Sequence, residues 1–174
     1  MEAIECIMSR TSTKDFDNDK MPKREDIMTV VDAACYAPSG CNLQDWHFTV
    51  VTNKEWLKKV TKKLGILLNR GEDYCCYYNA PVLIIASGGS HYTSRDSCAC
   101  ALENMFISAH ALGLGTCWIN QLGNENDKYI REELLEAGIP ETDTVFGCCA
   151  LGYPAKGYSR EPKPRKNGTI IFFE

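Results

Sequence analysis

Apolar residues recur along the chain in helical and strand-like patterns that predict an α+β fold. Periodic apolar positions predict helices over residues 2–9, 22–37, 54–65, 94–112 and 125–137. Short apolar runs bounded by turn residues predict strands over residues 46–51, 82–86, 116–119, 145–151 and 169–173. Because helices and strands follow one another without strict alternation, an α+β fold fits better than a doubly wound sheet.

Two of these elements are predicted to form the core. The apolar run over residues 82–86 is unbroken, which is typical of a central strand buried on both faces. The helix over residues 94–112 carries apolar side chains around most of its circumference. Elsewhere, Asn53 is predicted to cap the helix that follows it, and Gly65 is predicted to end that helix.

Length and composition indicate one domain over residues 1–174. The chain weighs 19.5 kDa, is 44% hydrophobic, and shows no repeat or linker. Its net charge of −4 creates no field that would recruit nucleic acid or an anionic membrane. The N-terminus is acidic and no apolar run reaches the roughly 18 residues of a membrane span, so we expect a cytoplasmic protein.

Ten cysteines permit three readings, which are structural thiols, a metal site and a redox-sensing thiol. Their spacings include neither the Cys-x-x-Cys pattern nor any usual zinc pattern. Most of them lie in apolar segments, where a free cysteine behaves as a small hydrophobe. We therefore expect structural thiols in a reducing compartment and no metal, and the redox-sensing alternative stays open.

A polar turn between a predicted helix and a predicted strand is the first candidate binding site. Residues 38–46 read Pro-Ser-Gly-Cys-Asn-Leu-Gln-Asp-Trp. Ser39 and Gly40 would expose backbone amides, and the side chains of Asn42 and Gln44 offer paired donors and acceptors. Such groups suit a flat heteroaromatic ring better than a metal ion.

Two basic pairs form the second candidate site. If residues 10–14 are extended, Arg10, Ser12 and Lys14 point to one side and form a cationic edge. Lys163 and Arg165 repeat the same spacing near the C-terminus. Two such pairs suit a single phosphate, but the spacing alone does not show that they converge, and a solvated basic surface is the simpler alternative.

These separated motifs resemble the FMN-dependent nitroreductase family in both order and spacing. The resemblance implies that Arg10, Ser12 and Lys14 grip the FMN phosphate and ribityl chain, with Lys163 and Arg165 on the same phosphate. Thr11 lies in this segment where the family often has Arg or His, so one phosphate contact is in doubt.

The resemblance also assigns the flavin ring. It implies that the polar turn packs on the isoalloxazine of the other subunit, through Pro38, Ser39, Gly40, Asn42, Gln44 and Trp46. Asp45 replaces the proline usual in this turn and puts its shape in doubt. The family places backbone amides near flavin N5 in the segment that here reads Asn120, Gln121, Leu122 and Gly123.

The implied architecture is a nitroreductase-like mixed or antiparallel sheet flanked by helices, in an intertwined homodimer. The predicted strand over residues 169–173 would cross to the partner, and a C-terminal edge strand on its own sheet is the alternative. The implied enzyme takes a hydride from NADH or NADPH onto flavin N5 and passes it to a flat acceptor such as a nitroaromatic or quinone. Flavin N5 carries this chemistry, so no catalytic side chain is expected.

Two alternatives stay open. One is a flavin-binding or thiol-based redox sensor without turnover. The other is a flavoenzyme of the same fold with one dedicated metabolite, acting by dehalogenation, ene reduction or flavin destruction. Hydrolytic and metal-dependent alternatives have little support, because His47, His91 and His110 are scattered and the motifs of those classes are missing.

Overall fold

The computed structural model describes residues 2–159, 161, 162, 164, 168 and 170–173. Within these residues the sheet has four strands, and every neighbouring pair is antiparallel. The strands are β1 (Trp46–Val51), β2 (Val82–Gly88), β3 (Gly115–Ile119) and β4 (Thr144–Gly152). Their order across the sheet is β1-β2-β4-β3, so that β1 and β3 form the edges. The predicted α+β class with a central antiparallel sheet is confirmed.

Helices cover both faces of this sheet. In the described part of the chain they are α1 (Ala3–Ser9), α2 (Arg24–Cys35), α3 (Lys54–Leu67), α4 (Ser94–Ala111) and α5 (Arg131–Glu136). Two short 3-10 turns span Gly40–Asn42 and Asn126–Lys128. None of the described helices combines the length and the hydrophobicity that crossing a bilayer requires.

Strand β2 separates two apolar cores. Leu83 and Ile85 pack into the core beneath α3, whereas Ile84 packs into the core beneath α2 and α4. All seven residues of β2 are buried, which confirms the predicted central strand. Helix α4 adds Leu102 and Met105, both fully buried, and burying each such side chain contributes about 1.5–3 kcal/mol.

The cap predicted at the start of α3 is confirmed, and the predicted end is wrong. Asn53 Oδ1 accepts hydrogen bonds from the amides of Glu55 and Trp56, each at 3.1 Å. The helix continues past Gly65 to Leu67. Gly65 is needed for a close approach instead, because a Cβ there would overlap the carbonyl oxygen of Gly71.

Two other predicted elements differ from the structure. The helix predicted over 125–137 is divided into the 3-10 turn Asn126–Lys128 and the short helix α5. Residues 170–173, the described part of the last predicted strand, form no strand, and their side chains are at least 77% exposed. A strand needs a neighbour to pair with, and the described residues provide none for this apolar segment.

Candidate active site

The segment of residues 10–14, named the N-terminal basic segment, lies along the start of β3. Ser12 forms a parallel bridge with Thr116, and the Thr13 amide donates to the Thr116 carbonyl oxygen at 2.8 Å. Thr13 is buried against Gly115, where a Cβ would overlap its side chain. Since neighbouring side chains of an extended segment alternate, we expect Ser12 and Lys14 on the opposite side from Thr13.

The two cations of this segment retain free donors. Arg10 Nε lies 3.9 Å from Glu103 Oε1, and the guanidinium carbon is 6.0 Å from the centre of the Phe106 ring. Lys14 Nζ lies 5.5 Å from the centre of the Tyr78 ring. A single long contact to a half-exposed carboxylate leaves most of the five guanidinium donors available to an anion.

A cleft of about 290 Å³ opens beside Arg10. Its lining includes Arg10, Thr11, Thr13, His110, Thr116 and Tyr158. The amide of Lys14 donates to the Tyr158 hydroxyl at 3.0 Å, which joins the N-terminal basic segment to the chain that follows β4. Lys163 and Arg165, the second basic pair, lie outside the described residues.

Residues 120–123, named the β3 loop, follow the other end of the same strand. Trp118 Nε1 donates to Asn120 Oδ1 at 2.6 Å, and Gln121 Nε2 donates to the Tyr74 hydroxyl at 3.2 Å. Leu122 is fully buried, and a Cβ at Gly123 would overlap the Val145 carbonyl oxygen. These contacts hold the loop in one position against β4.

One amide of the β3 loop is available to a ligand. The Asn120 amide donates to Gln121 Oε1 at 3.1 Å, and the Gly123 amide donates to the Asn120 carbonyl oxygen at 2.9 Å. The Gln121 amide donates to no acceptor among the residues that the structure describes, and Gln121 is only partly buried, whereas Leu122 is fully buried and its amide cannot be reached by a ligand. Amides fixed on a rigid loop can stabilise negative charge on a bound group.

The polar turn, residues 38–46, has an unusual backbone. Cys41, Asn42 and Gln44 all have left-handed φ angles, at 54°, 54° and 50°. For residues other than glycine this conformation costs about 1 kcal/mol or more each and is often found at functional sites. Asn42 and Gln44 are exposed, and Gln44 Nε2 donates to Asn42 Oδ1 at 2.7 Å.

The polar turn is attached to the first residues of α4. The Gly40 amide donates to Ser97 Oγ at 3.3 Å, and Ser94 Oγ donates to Asp45 Oδ2 at 2.5 Å. The aspartate at the position where the family usually has proline therefore fixes the turn through its side chain. Pro38, the first residue of the turn, is exposed.

A single chain brings together only some of the predicted site residues. The N-terminal basic segment and the β3 loop lie at the two ends of β3, roughly 13 Å apart along the strand. The polar turn contacts Ser97 near the start of α4, whereas Ser9 Oγ lies 2.9 Å from His110 Nε2 near its end. Thirteen residues of helix place these two contacts roughly 20 Å apart.

Two tyrosines at the candidate site were not predicted from the sequence. Tyr74 contacts the β3 loop and Tyr78 contacts Lys14, so the segment of residues 74–78 borders both ends of the candidate site. The signal in the sequence is the crowding of tyrosines in Tyr-Cys-Cys-Tyr-Tyr, between two elements with clear patterns. Their contacts depend on residues 47 or more positions away, which spacing does not reveal.

The buried thiols are held in the neutral form. Burial raises the pKa of Cys76 to about 12, with the neighbouring Cys75 adding to the effect. Burial likewise raises the pKa of Cys98 to about 12, assisted by the charges of Asp45 and Asp143. None of the ten cysteines forms a disulfide with another described residue, and the described residues contain no group of three potential metal ligands.

Comparison with known proteins assigns the chain to a family. The sequence profile of the Nitroreductase family matches residues 7–153. The chain belongs to the nitroreductase family. A protein of Archaeoglobus fulgidus named "Putative NADH dehydrogenase/NAD(P)H nitroreductase" is 33% identical over 159 residues, covering 88% of this chain and 86% of that protein.

Two further relatives agree with this assignment. The CLA biosynthesis enone reductase of Lactiplantibacillus plantarum is 32% identical, over 91% of this chain and 72% of that protein. The crystal structure of a nitroreductase with bound FMN from Bacteroides fragilis has a TM-score of 0.92 and 38% identity, with 100% of both chains covered. The family inferred from the sequence motifs is confirmed, and so is the predicted fold.

Proposed function

We propose that this member of the nitroreductase family is an NAD(P)H-dependent FMN oxidoreductase that reduces a flat electron acceptor of the nitroaromatic or quinone type. The observation that carries the proposal is the placement of a cationic segment and a loop with a free amide at the two ends of β3. The fold it occurs in is that of a 38% identical nitroreductase with bound FMN. The name of the Archaeoglobus relative supports the nicotinamide donor.

The residues present fit FMN. Arg10, with donors to spare beside a cleft of about 290 Å³, suits a phosphate, and Ser12 and Lys14 lie on the neighbouring stretch of β3. Lys163 and Arg165 are proposed as a second pair on the same phosphate. When bound, FMN supplies the centre, N5, that accepts and donates the hydride.

The protein's part in this chemistry is binding and orientation. Arg10 and Lys14 neutralise the phosphate, and Thr11 contributes a hydroxyl where relatives often carry a cation. The free amide of Gln121 stabilises negative charge at the reacting ring, because the β3 loop is fixed before the cofactor arrives. No nucleophile or general base is required, so donor and acceptor are expected to alternate at one site.

The complete site requires a homodimer. The polar turn, with exposed Asn42 and Gln44 beside the half-buried Ser39 and Gly40, stands about 20 Å along α4 from the N-terminal basic segment, so it reaches the flavin of a second chain. The apolar residues 170–173 are exposed, and edge strand β1 is flanked by a groove of about 440 Å³. These surfaces complement each other between two copies.

Absorption spectroscopy of the purified protein, followed by anaerobic titration with NADH and with NADPH, tests the proposal. We expect a flavin spectrum that bleaches with one or both donors and recovers when a quinone is added. Steady-state rates with varied donor and acceptor should then give parallel double-reciprocal lines. A purified protein that neither carries nor binds FMN would contradict the proposal, and intersecting lines would contradict the shared site.

A dedicated ene reduction is the second candidate. The enone reductase of Lactiplantibacillus plantarum aligns over 91% of this chain. Under this alternative the same flavin site would transfer its hydride to an activated carbon–carbon double bond. Competition between a conjugated enone and a quinone under identical conditions separates the two, since the preferred acceptor has the higher kcat/KM.

A thiol-based sensor at buried Cys76 or Cys98 finds less support. The raised pKa values of Cys76 and Cys98 leave both thiols protonated at neutral pH, and a protonated thiol is a poor nucleophile. Steady-state oxidation of NAD(P)H would distinguish the enzyme from a sensor without turnover. We retain structural thiols in a reducing cytoplasm as the proposal for the cysteines.

A further inference from the structure

A second cleft lies beside the β3 loop, at the opposite end of α4 from Arg10. Its volume is about 360 Å³, and it opens between the β2–α4 connection, the first turn of α4 and the chain after β3. Its lining includes His91, Tyr92, Arg95, Asn124, Glu125 and Phe146. Asn124 directly follows Gly123 of the β3 loop, so this cleft adjoins the place proposed for the flavin ring.

Aromatic rings border the cleft. The centres of the His91 and Tyr92 rings are 4.5 Å apart, and Tyr92 is 82% exposed. Phe146, at the start of β4, is half-buried and lines the same space. A planar ring that enters the cleft can stack on such faces, and a stacked aromatic pair contributes more than its buried area alone.

One cation of the cleft lacks an anionic partner. Arg95 Nη2 donates to the neutral amide oxygen Asn124 Oδ1 at 3.3 Å, and within the described residues no carboxylate is paired with Arg95. Glu125 also lines the cleft, but its carboxylate pairs with Lys128. The guanidinium therefore keeps its charge and several N–H donors for an anion, preferably a planar carboxylate that it can bind through two bonds.

The backbone that positions Asn124 is strained. Asn124 and Glu125 have left-handed φ angles of 54° and 74°, directly after the β3 loop. This conformation is costly for residues other than glycine, and strain of this kind concentrates where a ligand is bound. Here it accompanies the bond between Asn124 and Arg95, which spans the cleft from the β3 loop to α4.

We propose that this cleft binds the carboxylate-bearing end of a flat aromatic acceptor, so that the enzyme prefers anionic acceptors to neutral ones. The inference rests on the proposed function, since it places the reducible end of the acceptor toward the flavin ring. Arg95 binds the carboxylate, and Tyr92 stacks on the aromatic ring. Arg95 is thus a specificity-determining residue and takes no part in hydride transfer.

The test compares 4-nitrobenzoate with 4-nitrobenzyl alcohol, a neutral molecule of similar size. Each is titrated into the FMN-loaded oxidised protein without a nicotinamide, and binding is followed by calorimetry. We expect 4-nitrobenzoate to bind about tenfold more tightly at low salt, because a charge-assisted bond is worth about 1.5 kcal/mol and each 1.4 kcal/mol is tenfold. The preference should weaken as salt is added.

Two substitutions locate the effect. Arg95→Gln should abolish the preference for the anion and leave the affinity for 4-nitrobenzyl alcohol within about twofold. Arg70→Gln changes the net charge equally at an exposed site outside the cleft and should preserve the preference. Tyr92→Ala should weaken both ligands. Equal binding of the two ligands to the unmodified protein would overturn the inference, as would equal effects of the two arginine substitutions.

The anion in the cleft could instead be a phosphate of the nicotinamide donor, and kinetics separates the two sources. We expect Arg95→Gln to raise the KM for 4-nitrobenzoate and to leave the KM for NADH and NADPH unchanged. A raised KM for the donor with an unchanged acceptor would overturn the inference. A protein that binds no FMN would contradict the proposed function itself, whereas a flavin-loaded, NAD(P)H-oxidising protein indifferent to acceptor charge would contradict the inference alone.

Discussion

The N-terminal basic segment and the polar turn are both proposed to contact one cofactor, yet they are built in opposite ways. The basic segment extends the sheet, since the Thr13 amide donates to the Thr116 carbonyl oxygen and Thr13 is buried against Gly115. The polar turn projects from the sheet, with three left-handed residues. It is attached to α4 because the Ser94 hydroxyl donates to the Asp45 carboxylate and the Ser97 hydroxyl accepts from the Gly40 amide.

The N-terminal basic segment is therefore a preformed binding surface, whereas the polar turn is a strained one. Backbone bonds to β3 position Arg10 and Lys14 whether or not a ligand is present. The polar turn carries conformational strain that the bond to Asp45 and the bond between the Asn42 and Gln44 side chains must offset. We therefore expect substitutions in the basic segment to act on cofactor affinity, and substitutions in the polar turn to act also on local stability.

The largest expected effect concerns the thiol that lies beneath the polar turn. Cys98 is buried, and its thiol contacts the Ser87 carbonyl oxygen at 3.6 Å. Burial raises the pKa of Cys98 to about 12, and the negative charge of Asp45 in the polar turn adds to the effect. A pKa about three units above the ordinary value lowers the thiolate fraction about a thousandfold. Disulfide-exchange labelling followed by peptide mapping at pH 8 should modify exposed Cys41 rapidly. The labelling rate of Cys98 should be at least about a thousandfold lower than the rate of Cys41.

The pH dependence of this difference has a defined sign. Because the folded pKa of Cys98 is raised, the folded state keeps a proton that the unfolded state loses above about pH 9. Its contribution to stability is complete below pH 9 and is lost as the pH rises toward 12, at about 1.4 kcal/mol per pH unit. Equally rapid labelling of Cys98 and Cys41 at pH 8 would show that the turn opens freely.

Arg10→Ala tests the preformed surface. The substitution removes a charge-assisted contact to phosphate, so we expect the Kd for FMN to rise about 30-fold, or about 2 kcal/mol, with little change in thermal stability. Flavin fluorescence quenching measures the Kd. Arg70→Ala, an exposed arginine on the α3–β2 connection, is the matched control and should leave the Kd unchanged. Equal Kd values for the two variants would remove Arg10 from the phosphate site.

A region could be predicted from the sequence where its interactions join residues that are close together in the sequence. The bounds of β1 and the Asn53 cap are local features, and the structure agrees with both. The extended basic segment was recognisable from alternation over a few residues. Its contact with Glu103, the approach of Gly65 to Gly71 and the bond between Tyr74 and Gln121 depend on chain folding that no local pattern encodes.

The strand predicted over residues 169–173 illustrates the same limit. Two pairings were open for this segment, one with the sheet of its own chain and one with the sheet of a partner chain. Whether it forms a strand depends on a free sheet edge with which it can pair. Residues 170–173 are extensively exposed in the isolated chain. At Asp45 the sequence showed the departure from the proline of the family pattern. It did not show the hydrogen bond from Ser94 to Asp45, which holds the turn in place of that proline.

Ser94→Ala tests the attachment of the polar turn. Loss of a hydrogen bond to a partly buried carboxylate should weaken FMN binding about fivefold and lower the free energy of unfolding by about 1 kcal/mol. Thr142→Ala removes a hydroxyl from an exposed position and serves as the control. Fluorescence quenching and thermal unfolding measure the two effects. An unchanged stability would mean that the bond to Asp45 does not hold the turn.

The smallest expected effect has the opposite sign. Cys41 adopts a φ of 54°, which glycine tolerates without strain, so Cys41→Gly should raise the free energy of unfolding by up to about 1 kcal/mol. The same substitution at Cys100, exposed within α4, should lower it by about 0.5 kcal/mol, because glycine disfavours a helix interior. Denaturant unfolding measures the free energy of unfolding of both variants.

Since hydride transfer requires no thiol, FMN-loaded Cys41→Gly should keep turnover within about threefold of the unmodified enzyme, a shift of under 1 kcal/mol. Destabilisation by both substitutions would show that the turn is not strained at Cys41, and loss of turnover would restore the thiol-based alternative.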